Sequence, residues 1–150
     1  MEIVIATDND RDWILRHRVE MFRDMGMSEE GLRKTEEITR EELENGFDDR
    51  SIFYLAKEGD DVIGGGAFAI CKILPSHKNK TGKFAYIFNM YVEKEHRRKG
   101  VASALVQHMM DECLSMNIDR FYLHASDDGK FVYLKKGFIK SDNFYEIRPW

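Results

Sequence analysis

Between Asn89 and Ala102 the chain reads Asn-Met-Tyr-Val-Glu-Lys-Glu-His-Arg-Arg-Lys-Gly-Val-Ala. Three successive bases, Arg97, Arg98 and Lys99, run straight into Gly100. Ahead of them, Ile87, Phe88, Met90, Tyr91 and Val92 are residues that favour a strand. Behind them, Val101, Ala104, Leu105, Met109, Cys113 and Met116 recur at helical spacing. The order is strand, basic loop, helix. Backbone N–H groups at such a helix start lack an intrahelical acceptor and carry partial positive charge. A glycine there lets a phosphate come close to the backbone, and the three bases add charge-assisted donors. This is the chemistry of a pyrophosphate cradle; a solvated basic turn before an amphipathic helix would use the same residues. The spacing excludes a nucleotide P-loop and lacks the further glycines of a Rossmann fingerprint.

A second set of reactive side chains follows. Tyr133 stands four residues before Gly137-Phe138, and Ser126 seven residues before Tyr133. His77 and His124 can titrate near neutrality; the first falls in a polar loop and the second in a strand, where a histidine satisfied by its neighbours is the ordinary case. Cys71 and Cys113 have no metal-ligand spacing and form no disulfide framework, so two reduced thiols are expected and no metal. A net charge of −4 argues against a general nucleic-acid binder.

The elements that must position these groups can be read in order. Residues 2–6 form a strand, and Asp8 and Asp10 can cap a helix carrying Trp13, Ile14, His17, Met21, Phe22 and Met25 up to Gly26. Ser28 can cap a second helix to about Asn45, thin in apolar residues. Residues 28–50 hold nine acids against four bases. Residues 52–57 and 62–70 form a hairpin, with Gly64-Gly65-Gly66 marking a bulge or a close backbone approach. A central strand spans 84–92. After the Gly100 helix come a strand over 120–125, a short helix over 129–136 closed by Gly137, and a final strand pair at 138–140 and 145–148. The 150 residues suffice for one domain, with no repeat or linker. No apolar run reaches the roughly 20 residues of a membrane helix, and the N-terminus does not read as a signal peptide, so the expected setting is cytoplasmic.

The spacing Arg97-x-x-Gly100-x-Ala102 after a strand resembles the signature loop of the GNAT superfamily of acetyl-CoA-dependent N-acetyltransferases. Tyr133-Leu-Lys-Lys-Gly137-Phe138 resembles the same family's tyrosine-x-x-x-glycine-phenylalanine segment, and the element order β-α-α-β-β-β-α-β-α-β-β is similar along the whole chain. The resemblance implies a mixed α+β fold, with a mostly antiparallel sheet of six to seven strands and about four helices. It implies acetyl transfer from acetyl-CoA to a primary amine by direct attack. The diphosphate would lie on Arg97, Arg98, Lys99, Gly100, Val101 and Ala102. Pantetheine would pair with backbone freed by a bulge near Met90, Tyr91 and Val92. Tyr133 would be the general acid, returning a proton to the leaving thiolate. Ser126 stands where many relatives carry a cofactor-touching asparagine; it could keep one hydrogen bond or merely end the strand.

Three further positions depart from the family pattern. Lys94 replaces a common proline, Arg98 a common glycine, and Tyr86 the glutamate that serves many relatives as base. The sequence therefore names no base. A cofactor-binding sensor without turnover is the alternative on the same fold. The expected acceptor is a small molecule, and the acids of the second helix suggest a small cationic amine. No nucleic acid or membrane partner is expected, and a homodimer is allowed.

Overall fold

The computed structural model describes residues 1–148. Its elements are β1 (Glu2–Ile5), α1 (Arg11–Asp24), α2 (Glu29–Glu44), β2 (Ser51–Glu58), β3 (Asp61–Lys72), β4 (Lys83–Val92), α3 (Val101–Ser115), β5 (Phe121–Tyr122) and α4 (Lys130–Lys135). The strands form one five-stranded sheet in sequence order. β1 to β4 are antiparallel, and β5 joins β4 in parallel. The class matches the sequence reading, and the element order matches it as far as α4, with a smaller sheet.

The local chemistry explains the helix starts. Ser28 accepts a hydrogen bond from Gly31 N–H and caps α2 as expected. Thr7, rather than Asp8, caps the single turn that leads into α1, in a reciprocal box with Asp10. α1 and α2 cover one face of the sheet, where Ile14, Leu15 and Leu43 meet Leu55 and Val62. α3 covers the other, where Val101, Leu105, Met109 and Cys113 meet Tyr54, Ile63, Phe68, Ala85 and Ile87. Leu105 and Met109 are fully buried, and each such side chain stabilises the fold by roughly 1.5–3 kcal/mol relative to exposure.

The expected final strand pair does not form: residues 138–140 and 145–148 carry no strand pairing. β5 is two residues long rather than six, so it offers almost no ladder for a further strand to join. Ile139, Tyr145 and Ile147 are accordingly among the most exposed apolar side chains described.

Candidate functional site

The β3–β4 register places the bulge. Gly65 pairs with Tyr91 and Ala67 with Phe88, so Asn89 and Met90 together oppose Gly66 alone. Asn89 takes φ +55°, in the left-handed region that asparagine tolerates better than most residues. Its buried side chain is held from two sides: Nδ2 donates to the Ile14 carbonyl and Oδ1 accepts from Arg18, each at 3.4 Å. The triple glycine lies on the other strand of this irregularity. A Cβ on Gly66 would collide with the Met90 sulfur, and one on Gly65 would lie 2.7 Å from His17 Nδ1. The glycines admit the bulged strand and α1; the bulge itself is in β4.

Beside the bulge, β4 and β5 part. Their pairing consists of Ala85 with Phe121 and Tyr86 with Tyr122, and from Ile87 onward β4 has no strand on that edge among the described residues. Met90 and Val92 pack into the core on the α3 side, and Tyr91 meets His17 on the α1 side at a ring distance of 5.4 Å. Their side chains are thus engaged, and what this stretch offers a ligand is backbone.

The chain then enters the basic loop, latched to α1 twice. Arg16 grips Glu93 through two contacts of 3.0 Å. Arg97 donates to Asp24 and to the Val92 carbonyl, and its guanidinium lies 5.3 Å from the Tyr91 ring centre. The Arg97 side chain therefore braces the loop. Arg98 and Lys99 are exposed and have no ion pair among the described residues. Arg98 takes φ +59°, a conformation that costs a side-chain-bearing residue roughly 1–2 kcal/mol and that glycine adopts freely. Gly100, at φ +86°, is the N-cap of α3, and nothing lies within 4 Å of where its Cβ would point. The N–H groups of residues 98–103 have no acceptor among the described residues, and the first turn of α3 contains no acid. Open space, unpaired donors and two free cations converge on one helix start, the arrangement that suits a phosphate.

On α4 the Tyr-x-x-x-Gly-Phe spacing has a local cause. Gly137, at φ +90°, ends the helix, and Phe138 N–H returns to the Tyr133 carbonyl while Gly137 N–H bonds that of Leu134. Phe138 then packs edge-on against the Tyr133 ring, with centres 5.8 Å apart. The phenolic oxygen has no hydrogen-bond partner among the described residues, and burial pushes the phenol up to about 12. Ser126 Oγ accepts from Gly129 N–H at 3.0 Å, so the serine sets the turn that starts α4. Lys136 reaches Gln107 on α3 at 3.0 Å and ties the two helices together.

Two groups were not legible as site residues in the sequence. Tyr86 pairs with Tyr122 in the last β4–β5 rung, and its hydroxyl hydrogen-bonds His124 Nδ1, two residues beyond β5. Arg18 reaches from α1 to the bulge residue Asn89. No sequence spacing links residues 38 or 71 positions apart; only the sheet brings them together. By contrast, the acids of α2 mostly point outward. Arg33, Glu36, Glu37, Arg40, Glu41 and Glu44 share a shallow surface depression, and Glu30 and Glu36 are paired with Lys34 and Arg40. Among the described residues no cluster of metal-binding side chains occurs, and no helix is long and apolar enough to cross a membrane.

Solved structures similar to this one share its whole length. A predicted acetyltransferase from Clostridium acetobutylicum, solved with acetyl-CoA, is 27% identical, with a TM-score of 0.82 over 98% of this chain and 95% of that one. A GCN5-related N-acetyltransferase from Ralstonia eutropha JMP134 is 23% identical, with a TM-score of 0.87 over 98% and 97%. Glucosamine-6-phosphate N-acetyltransferase from Arabidopsis thaliana shares the fold at 19% identity, with a TM-score of 0.68 over 99% and 97%. No curated protein sequence matches the chain. The model of the acetyltransferase (GNAT) family matches residues 17–138, which hold the bulge, the basic loop and the Tyr133 segment, and the chain belongs to that family.

Proposed function

We propose that this protein transfers the acetyl group of acetyl-CoA to a primary amine by direct attack. The observation that carries the reading is the continuity of one feature: the Asn89–Met90 bulge, the unpaired edge of β4 beyond it, and the open N-terminus of α3 at Gly100. Pantetheine would pair with backbone along Met90, Tyr91 and Val92, and the diphosphate would rest on the N–H groups of residues 98–102 with Arg98 and Lys99 as free cations. Arg97 would act there by holding the loop. Ser126 would act by setting the turn before α4.

The neutral amine attacks the thioester carbonyl carbon, forming a C–N bond and an oxyanion. Backbone N–H at the bulge would stabilise that charge. The C–S bond then breaks with its electron pair passing to sulfur, sulfur takes the phenolic proton, and the proton shed by nitrogen returns to the phenolate through solvent. Tyr133 supplies the proton at sulfur. Because its phenol is held neutral up to about 12, it is present as a donor throughout the physiological range.

The outward acids of α2 place little charge beside the bulge of β4, so they give weak support to a simple cationic amine as acceptor. A cytoplasmic setting fits the two free thiols, Cys71 and Cys113. The test is calorimetry with acetyl-CoA followed by a screen of amines, read by release of free thiol. Acetyl-CoA binding with amine-dependent thiol release supports the reading. Binding without release for any amine would favour a sensor, and absence of binding would remove both.

A further inference from the structure

α1 carries four arginines along its length, and three have acids. Arg11 pairs with Asp8, Arg16 with Glu93, and Arg23 with Glu20 and Glu29. Arg18 has no carboxylate within 4 Å among the described residues, although it is half-buried. Its contacts are Asn89 Oδ1, at a long 3.4 Å, and the face of Phe22, 5.0 Å from the guanidinium carbon. Burial pulls the guanidinium below its usual value, and the acidic group that opposes this is the Tyr86 phenol. A guanidinium has five N–H donors in a planar fork, and here one donor has a weak partner.

The position is as informative as the missing counter-ion. Asn89 is the bulge residue, and Tyr86 holds the last rung before β4 and β5 part. Arg18 therefore stands on the α1 face of the point where the thioester would lie. Half-buried aromatic rings surround that face: Phe53 meets Phe88 edge-on at 5.7 Å, and Tyr86 stacks on Phe88 at 6.5 Å. An apolar wall with one unmatched guanidinium suits a ligand with an anionic group, because carboxylate and phosphate both fit the fork with two parallel hydrogen bonds.

We propose that Arg18 binds an anionic group, a carboxylate or a phosphate, carried by the amine acceptor. The acceptor is then an amino acid-like or phosphorylated amine rather than a simple polyamine. The proposal takes the acceptor's place beside the bulge from the acetyltransferase reading above. A purely structural Arg18, holding Asn89 and Phe22, would leave acceptor preference untouched.

The experiment uses two matched pairs, L-phenylalanine against 2-phenylethylamine and O-phosphoethanolamine against ethanolamine. Each is titrated calorimetrically into the CoA-loaded protein and then assayed for thiol release with acetyl-CoA. The anionic member of at least one pair should bind roughly 10- to 100-fold more tightly, the usual worth of a charge-assisted hydrogen bond. The pair that responds separates carboxylate from phosphate. Arg18→Gln should erase the preference, Arg18→Lys should restore part of it, and affinity for CoA should hold in both. Absence of preference in either pair, or a preference that survives Arg18→Gln in a variant with unchanged melting, overturns the proposal. Failure of CoA to bind would instead strike the acetyltransferase reading. The pairs are then compared on the free protein, where lack of an anion preference again overturns the role of Arg18.

Discussion

The Tyr86 hydroxyl and His124 Nδ1 share a hydrogen bond just past the last rung of β4 and β5, where the two strands begin to part. Phe144 closes the other side of the imidazole, with ring centres 5.5 Å apart. A histidine whose Nδ1–H is donated to the phenol oxygen keeps a lone pair on Nε2. Such a pair can take a proton that the family's glutamate would otherwise accept. His124→Ala should therefore lower turnover by roughly 100-fold near pH 7, within the usual range for general-base assistance. The deficit should shrink as pH rises toward the pKa of the amine, because the acceptor then loses its proton unaided. A parallel drop at every pH, or none, would show that the pair only packs.

Tyr133 makes a different prediction. Full proton transfer from a phenol at about 12 to a free thiolate of pKa ~8.5 is uphill by about 5 kcal/mol. The transfer is then completed only as the phenolate recovers the acidic proton that the acylated nitrogen gives up. Tyr133→Phe should cut kcat by roughly 10²–10⁴ with little change in acetyl-CoA affinity. In the wild type, ionisation of a phenol held this high should produce no fall in activity between about pH 9 and 11. Loss of kcat centred near the ordinary tyrosine value, absent in Tyr133→Phe, would contradict the buried phenol.

What the sequence shows of the site depends on the range of the interactions that build it. The cradle and the Tyr133 segment are local: Gly100 and Gly137 both take positive φ at a helix end, and each lies within a few residues of the groups it positions. The bulge was signalled indirectly, by three glycines on the opposite strand, but its residue, Asn89, carried no such mark. Arg97 reads as a phosphate ligand by type and spacing. In the fold it is drawn away by Asp24, 73 residues distant. The acids of α2 read as a charged wall because composition does not say which way a helix face points. The last two strands failed for a similar reason: 138–140 and 145–148 have strand-like residues, but β5 gives them no edge to pair with.

Gly100 separates two causes of lost binding. Its Cβ would enter open space, so bulk alone does not clash with the protein. Gly100→Asn should fold with little penalty, since asparagine tolerates the left-handed region. Gly100→Glu adds a like charge beside the expected diphosphate and strain of roughly 1–2 kcal/mol. Acetyl-CoA affinity should fall beyond calorimetric detection in Gly100→Glu, while both variants stay folded by circular dichroism. Unchanged affinity in a folded Gly100→Glu protein would remove the diphosphate from this loop.

The last prediction concerns stability rather than chemistry. His17 is 1% exposed, wedged between Trp13, Tyr91 and the backbone at Gly65. Burial holds it down at about 4; Glu93, 3.8 Å away, opposes this, and Arg16 reinforces it. In the unfolded chain the imidazole titrates near 6.5. As pH falls below that value the unfolded state takes up the proton first, so its free energy drops relative to the fold. Stability tied to neutral His17 is therefore present above about 6.5 and is lost as pH falls toward about 4. The full effect is on the order of 3 kcal/mol. His17→Leu should cost stability at neutral pH, because it disturbs a tight fit, yet flatten the pH dependence in this window. Urea denaturation of both proteins at about pH 7 and about pH 4.5 measures the difference directly. Carboxylates titrate in the same range in both, so the comparison isolates position 17; equal slopes would mean that His17 binds its proton in the fold as readily as in water.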